Sequence, residues 1–200
     1  MGKDGLGGRP QIGVLKTEGS GPENRGPESV KRRFYGRRYG HPLRPARRRL
    51  MEVKLPELRL KMGEGGSVAD LPSAFGGDFK EFWLEIGFGA GEQIAHLAAS
   101  NPSVGLLGCE PFVNGVASLL DRMVRDNIEN IRIFDDDARL LLPQIPEKSF
   151  SRIFLLFPDP WPKKRHRKRR FVSPEALDQM ARLLADGGEF RFASDIADYV

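Results

Sequence analysis

A glycine-rich turn that begins with an acid, EIGFGAG at residues 85–91, directly follows an apolar run. Its glycines Gly87, Gly89 and Gly91 allow the backbone to turn tightly and to approach a ligand without side-chain obstruction. The spacing departs from the G-x-G-x-x-G fingerprint of dinucleotide-binding proteins, because the third glycine comes one residue early. The acid two places before the first glycine is also unlike that fingerprint. Taken alone, the turn leaves open both a ligand site and an ordinary strand–helix connection.

Acidic side chains also end the next two apolar runs. Glu110 comes nineteen residues after Gly91, and an acid at such a position can accept hydrogen bonds from both hydroxyls of a ribose. Asp135–Asp137 end the third run. Three acids would repel a pyrophosphate but suit a cationic ligand that carries an amino group. A solvated acid at Glu110 and a helix N-cap at Asp137 remain alternatives. The pattern favours a charged nucleoside over a dinucleotide.

A proline-rich turn, FPDPWP at residues 157–162, follows the fourth apolar run. The three prolines remove three amide donors and stiffen the turn. The remaining polar groups are the Asp159 carboxylate, a row of free carbonyls and the Trp161 indole. Such an edge suits a flat heterocycle with amino or imino hydrogens. A structural turn that only caps the strand is the alternative.

The net charge of +5 conceals two strongly basic segments. Residues 31–54 carry ten Lys or Arg and one acid, and residues 163–170, KKRHRKRR, carry seven more cations. The rest of the chain has 15 basic and 26 acidic residues. An acidic body with two concentrated basic segments predicts a polyanionic partner. A free-standing basic run is often a solvated or localisation segment, but this one directly follows the proline-rich turn.

The elements that must position these residues alternate between strand and helix from residue 81 onward. Continuous apolar strands between amphipathic helices indicate a parallel sheet covered on both faces, a doubly wound α/β fold. Ligands of such folds sit at the carboxyl ends of the strands. The predicted strands are 81–87, 103–110, 131–137, 151–157 and 189–195, and the predicted helices are 92–100, 113–126 and 174–184. Ser173 is the expected N-cap of the last helix, and Gly187 and Gly188 are expected to end it.

Composition divides the N-terminal part into segments. Residues 1–30 are rich in Gly, Pro, Ser and Glu without an apolar period, which predicts a disordered leader. Residues 31–80 form a basic arm and a glycine-rich connector, and the arm, residues 31–60, is expected to be extended. Residues 81–200 form the α/β domain.

Several function classes are disfavoured. No apolar stretch is long enough to span a bilayer, and no secretory signal follows the start. The one cysteine, Cys109, cannot form an internal disulfide and gives no zinc spacing, so no metal site is expected. These features favour a cytoplasmic enzyme or binding protein.

The motifs in this order resemble a known family. E-x-G-x-G-x-G resembles the first motif of class I S-adenosylmethionine (SAM) methyltransferases. EIGFGAGE, GCEPF, DDDA, FPDPWPKKRHRKRR and FRFASD together resemble the bacterial tRNA (guanine-N7-)-methyltransferases, the TrmB family, from about residue 31 onward. FPDPWPKKRHRKRR is the most specific part, and RRFYGRR in the arm is similar to the family's N-terminal segment.

The resemblance implies a class I SAM-dependent methyltransferase that modifies the N7 atom of the guanosine at tRNA position 46, in the variable loop. Glu85, Glu110 and Asp137 then match SAM contacts, beside Gly87, Gly89 and Gly91 of the turn. Asp159 matches the cofactor-adjacent acid of the active site. Lys163 and Asp195 match substrate-binding positions, and the neighbours Lys164, Arg165 and Arg167 would hold phosphates.

The family continues past the fifth strand with a helix, two final strands and a Thr-x-x-Glu substrate-binding motif. The sequence ends at Val200, within that helix. We therefore expect one open sheet edge and a substrate pocket without part of its wall.

Rival functions remain at this point. Asp-Pro-Trp also resembles the Asp-Pro-Pro-Tyr motif of methyltransferases that act on exocyclic amino groups of nucleic acids. A catalytically silent RNA-binding module would keep the same fold and basic segments. A dehydrogenase is disfavoured by the glycine spacing and the acidic triplet. Monomer and homodimer are both compatible with the sequence.

Overall fold

The central element is a five-stranded parallel sheet. The computed structural model describes residues 34–60, 68, 70–196 and 199. The strand order is β3-β2-β1-β4-β5, all neighbours being parallel. The strands are β1 (Glu81–Ile86), β2 (Val104–Cys109), β3 (Ile131–Phe134), β4 (Phe150–Leu156) and β5 (Leu184–Ala193). The expected doubly wound α/β architecture is thus confirmed.

Helices connect the strands and flank them on both faces. The three predicted helices occur close to their expected bounds, and the Ser173 hydroxyl caps the last one by accepting from the Ala176 N–H. Short 3₁₀ turns span Leu142–Gln144 and Lys164–Arg169. The α-helices are α1 (Pro45–Val53), α2 (Leu55–Leu58), α3 (Leu71–Phe75), α4 (Glu92–Ser100), α5 (Val113–Arg125), α6 (Ala138–Leu141) and α7 (Pro174–Leu183).

Two apolar clusters, one on each face of the sheet, hold the layers together. Successive strand residues point to opposite faces, so Leu84 and Ile86 enter one cluster with α3, α6 and α7. Trp83 enters the other cluster with α4 and α5. Because both faces are covered, the central strands are buried and their carboxyl ends form one rigid edge.

The prediction that Gly187 and Gly188 end the last helix is wrong, because both glycines lie within β5. The helix ends at Leu183 rather than at Gly187 and Gly188, and β5 begins at once with Leu184. Opposite β4, the pairing jumps from Leu184 to Glu189, so the residues between them bulge out of register. Gly187 has a φ of +75° within this bulge, where a glycine is favoured.

The prediction of an extended arm is wrong for residues 45–58, which form α1 and α2. Pro45 sits in the first turn of α1, a position that tolerates proline. Leu50 and Met51 pack against the cluster that contains α5, and partial burial of these side chains supports a helix despite its many arginines. Arg59 then pairs with Ile133 at the open edge of β3.

The connector is also part of the core. Val68, Leu71 and Phe75 are buried against the face of the sheet that carries α7. The leader expected at residues 1–30 lies outside the described residues. Within the described part of the chain, no helix is long and apolar enough to cross a membrane.

Candidate functional site

A cavity of about 430 Å³ opens at the carboxyl ends of the strands, where the fold predicts a ligand site. Four strand–helix connections and one segment of the arm line it. They contribute Gly87 and Gly89 after β1, Glu110–Phe112 after β2, Asp137–Arg139 after β3, Phe157–Asp159 and Trp161 after β4, and Phe34–Arg37 from the arm.

The glycines of the first turn have the backbone conformation that the sequence led us to expect. Gly87, Gly89 and Gly91 all have positive φ angles of 73°, 56° and 81°. A Cβ at Gly87 or Gly89 would meet no atom within 4 Å, so the space beside these two residues is open. Gly91 instead lies against α5, where a Cβ would come within 2.8 Å of the Leu119 Cβ. Only the first two glycines therefore face the cavity.

The Glu110 carboxylate ties this turn to the start of α5. Its Oε2 accepts from the Gly89 N–H at 2.8 Å, and its Oε1 accepts from the Phe112 N–H at 2.9 Å. Burial raises the pKa of Glu110, and the two backbone donors act in the opposite direction. Each carboxylate oxygen keeps a further lone pair for a ligand hydroxyl. Glu110 thus orders the turn as well as lining the cavity.

Gly115 is a site residue that the sequence analysis missed. A Cβ at this position would lie 2.2 Å from the Gly89 carbonyl oxygen, so only glycine allows α5 to contact the turn. The sequence did contain a signal for this contact, a glycine in the first turns of an otherwise amphipathic helix. Glycine destabilises a helix interior, so its presence there indicates close packing against another element.

Glu85 is buried beneath the turn and does not line the cavity. Only 4% of the residue is exposed, and its Oε2 has no hydrogen-bond partner among the described residues. Burial, together with the nearby charge of Glu110, raises its pKa to about 7. Two buried carboxyl groups, those of Glu85 and Glu110, thus lie close to each other at the base of the turn.

Of the three consecutive acids Asp135–Asp137, one lines the cavity and two bind the arm. Asp137 lines the cavity, where its Oδ1 accepts from the backbone and side chain of Arg139, and its buried Oδ2 has no partner among the described residues. Asp135 instead accepts two hydrogen bonds from Arg59, both at 2.8 Å. Asp136 accepts from Arg38 at 3.1 Å. The sequence-based view of three acids facing one ligand is therefore wrong for Asp135 and Asp136, which anchor the arm.

The proline-rich turn after β4 presents Asp159 at the mouth of the cavity, with its side chain exposed. Phe157 and Trp161 on either side have positive φ angles of 49° and 40°. Such angles are strained for non-glycine residues and concentrate at functional sites. A Cβ at Gly36 would lie 3.4 Å from Asp159 Oδ2, so the arm runs directly beside this carboxylate.

The arm is held over the cavity by aromatic and cationic side chains. The Arg169 guanidinium lies 5.0 Å from the Tyr35 ring centre and 4.9 Å from that of Trp161. Both distances are within the range of cation–π attraction. The sequence did not place Phe34, Tyr35 or Arg169 at the cavity.

The basic run forms a 3₁₀ turn immediately beyond the mouth. The side chains of Lys163, Lys164, Arg165 and Arg167, here called the basic quartet, are exposed and lie outside the cavity lining. Asp195 follows β5, is also exposed, and likewise does not line the cavity. The structure therefore separates these predicted substrate-binding residues from the pocket itself.

Comparison with known proteins identifies the family. The protein-family model described as "Putative methyltransferase" matches residues 80–200. A protein of Paramagnetospirillum magneticum named tRNA (guanine-N(7)-)-methyltransferase is 48% identical over 183 residues, which cover 91% of this chain and 77% of the relative. A protein of the same name from Rhodospirillum rubrum is 48% identical over 171 residues, covering 84% and 67%.

The chain belongs to the tRNA (guanine-N7-)-methyltransferase family. The resemblance inferred from the sequence motifs is thus confirmed. Among solved structures, an antibiotic-related methyltransferase aligns with a TM-score of 0.51 and 18% identity over 69% of this chain and 71% of that one. This likeness supports the methyltransferase fold alone.

The cavity suits the cofactor that class I methyltransferases use. The carboxylates of Glu110, Asp137 and Asp159 line the cavity, and one buried oxygen of Asp137 has no partner among the described residues. SAM carries positive charge and offers hydroxyl and amino donors, which match such a lining. In the part of the chain that the structure describes, no group of three His, Cys, Asp or Glu residues is arranged to hold a metal ion.

Proposed function

We propose that this protein transfers the methyl group of SAM to the N7 atom of guanosine at position 46 of tRNA. The observation that carries the proposal is a cavity lined by the carboxylates of Glu110, Asp137 and Asp159, which opens beside an exposed run of cations. The names of the relatives supply the reaction, tRNA guanine-N7 methylation. The variable-loop position 46 comes from the sequence resemblance.

On this proposal, residues after the first three strands hold the cofactor. Glu110 would accept from the ribose hydroxyls while keeping its bonds to the turn, and Asp137 would accept from the adenine amino group through its unpartnered oxygen. Gly87 and Gly89 would leave room for the ligand beside the backbone. Glu85 would support the turn from below as a buried carboxyl group, and Gly91 would keep α4 and α5 in contact.

Asp159 is the proposed catalytic residue. SAM supplies an activated methyl group bound to a sulfonium. Guanine N7 would form a bond to that methyl group as its bond to sulfur breaks, so the guanine ring would gain the positive charge and no proton would have to be removed. A carboxylate at the mouth of the cavity would stabilise that developing charge and orient the base through its N–H groups. Much of the remaining catalysis would come from alignment and exclusion of water.

The cations provide the proposed RNA contact. The basic quartet would bind phosphates, which contributes affinity more than sequence discrimination. Asp195 would contact the substrate from the end of β5. The target guanosine would be turned out of its stack to reach Asp159. We further propose that the protein acts in the cytoplasm, where tRNA is present. It would act there as a monomer or a homodimer.

The test is incubation with labelled SAM and unmodified tRNA, followed by nucleoside analysis and by cleavage with borohydride and aniline. N7 methylation weakens the imidazole part of guanine, so cleavage is expected at one variable-loop guanosine. Asp159→Asn should keep the shape of the turn but lower the methylation rate roughly 10²–10³-fold, in the range seen when one preorganised electrostatic group is lost. Its affinity for tRNA should change little.

Three other outcomes would refute parts of the proposal. A methylated guanosine that resists cleavage would indicate reaction at an exocyclic amino group. Cleavage at another guanosine would refute position 46 but retain the chemistry. Absence of SAM binding in calorimetry would favour the catalytically silent RNA-binding module.

A further inference from the structure

Two aromatic residues flank Asp159, and their surroundings differ. The Trp161 ring is already engaged, with Arg169 over it at 4.9 Å, the Tyr35 ring at 6.4 Å and the His166 ring at 5.8 Å between centres. Phe157 is 66% exposed although it lines the cavity. No ring or cation contact of Phe157 is found among the described residues. An apolar ring is thus presented at the mouth of a polar pocket.

The backbone holds Phe157 in this exposed position. Its φ of 49° lies in the left-handed region, which is unfavourable for a bulky residue. The Phe157 N–H donates to the Ala193 carbonyl at 2.8 Å, which ties the residue to the end of β5. Pro158 follows and stiffens the chain further. Strain of this kind persists where the surrounding structure enforces it and indicates a functional position.

The strand order indicates which ligand the ring meets. The order is β3-β2-β1-β4-β5, so β4 lies on the opposite side of β1 from β2 and β3. The acceptors for a nucleoside cofactor, Glu110 and Asp137, follow β2 and β3, whereas Phe157 and Asp159 follow β4. The ring therefore lies on the side of the cavity where the methyl acceptor would enter, two residues from the proposed catalytic carboxylate.

We propose that the Phe157 ring stacks on the guanine that is methylated and contacts it more strongly as its ring becomes cationic. This inference rests on the proposed function. Aromatic side chains stack on nucleic-acid bases of any sequence, and the face of an aromatic ring attracts cations. During transfer, the guanine gains the methyl group and the positive charge that sulfur loses. Stacking would therefore favour the transition state over the neutral substrate as well as position N7.

The test compares Phe157→Leu, Phe157→Gly and Phe157→Tyr with the wild-type chain. Leucine keeps an apolar side chain but removes the π face, and glycine also relieves the strained φ angle. Tyrosine keeps the ring and should retain the wild-type rate. The single-turnover methylation rate at saturating tRNA and SAM should fall about tenfold in the leucine and glycine variants, since stacking and cation–π contacts are of that order. Val124→Ala, an exposed apolar change on α5 outside the cavity lining, is the matched control and should leave the rate unchanged.

Binding measurements separate the possible partners of the ring. SAM affinity by calorimetry should be unchanged in all three variants, because the proposed adenine acceptor, Asp137, follows β3 on the other side of β1. If SAM affinity falls by the same factor as the rate, the ring stacks on adenine and the proposal is overturned. Equal rates in the leucine variant and the wild type would also overturn it. A wild-type chain that binds SAM but makes no 7-methylguanosine would instead contradict the proposed function itself.

Discussion

The buried Glu85 carboxyl should make the stability of this protein fall as the pH rises. In the unfolded chain its pKa is close to the ordinary value of 4.5, and burial with Glu110 nearby raises the folded-state pKa to about 7. Below pH 4.5 the carboxyl is neutral in both states and costs nothing. Between pH 4.5 and pH 7 the carboxyl ionises in the unfolded chain but stays protonated in the folded protein, so the free energy of unfolding decreases as the pH rises. Above pH 7 this decrease is complete. One pKa unit corresponds to about 1.4 kcal/mol, so the cost is roughly 3 kcal/mol.

Glu85→Gln removes the ionisable group while keeping its size, and should therefore be more stable than the wild type above pH 7 but similar to it near pH 4.5. Urea unfolding at 25 °C from pH 4.5 to pH 8 measures the difference. Glu147→Gln, a change at an exposed glutamate, is the control and should follow the wild type. Some pH dependence should remain in Glu85→Gln, because burial also raises the pKa of Glu110. A constant difference between wild type and Glu85→Gln across this range would refute the reasoning.

Three further predictions concern the turn and the basic segment. Gly115→Ala should destabilise the protein by about 1–3 kcal/mol and weaken SAM binding, because the alanine Cβ would clash with the Gly89 carbonyl oxygen. A glycine-to-alanine change in a helix is usually stabilising, so a more stable variant would contradict this close contact. Glu110→Ala should weaken SAM binding by about 1.5–3 kcal/mol and lower the melting temperature, whereas a loss of affinity alone would mean that its backbone bonds are dispensable. Changing the basic quartet to glutamine should flatten the dependence of log tRNA affinity on log salt by several units without altering SAM affinity. The matched control changes four exposed cations outside both basic segments and should keep the wild-type slope: Lys80, Arg125, Lys148 and Arg191.

The sequence was sufficient for the sheet and for five residues that line the cavity, namely Gly87, Gly89, Glu110, Asp137 and Asp159. Continuous apolar runs predict buried parallel strands because both faces of such strands contact other elements. In a parallel sheet the carboxyl ends all lie at one edge, so Glu110, Asp137 and Asp159 had to lie near the same ligand site. The positive φ angles of the glycine-rich turn were likewise predictable from residue type. The roles of these residues toward SAM and tRNA remain predictions.

Tertiary packing decided what local pattern could not show. The arginine-rich stretch after Pro45 was expected to be extended, but the contact of Leu50 and Met51 with the core makes it helical. Asp135 and Asp136 resemble Asp137 in sequence, yet ion pairs with Arg59 and Arg38 withdraw them from the cavity. Gly115 and Gly89 are far apart along the chain and touch only because α5 crosses the turn. Each of these outcomes depends on contacts between residues that are distant in the sequence. The residue pattern of a short segment does not show which distant residues it will contact, so it could not predict them.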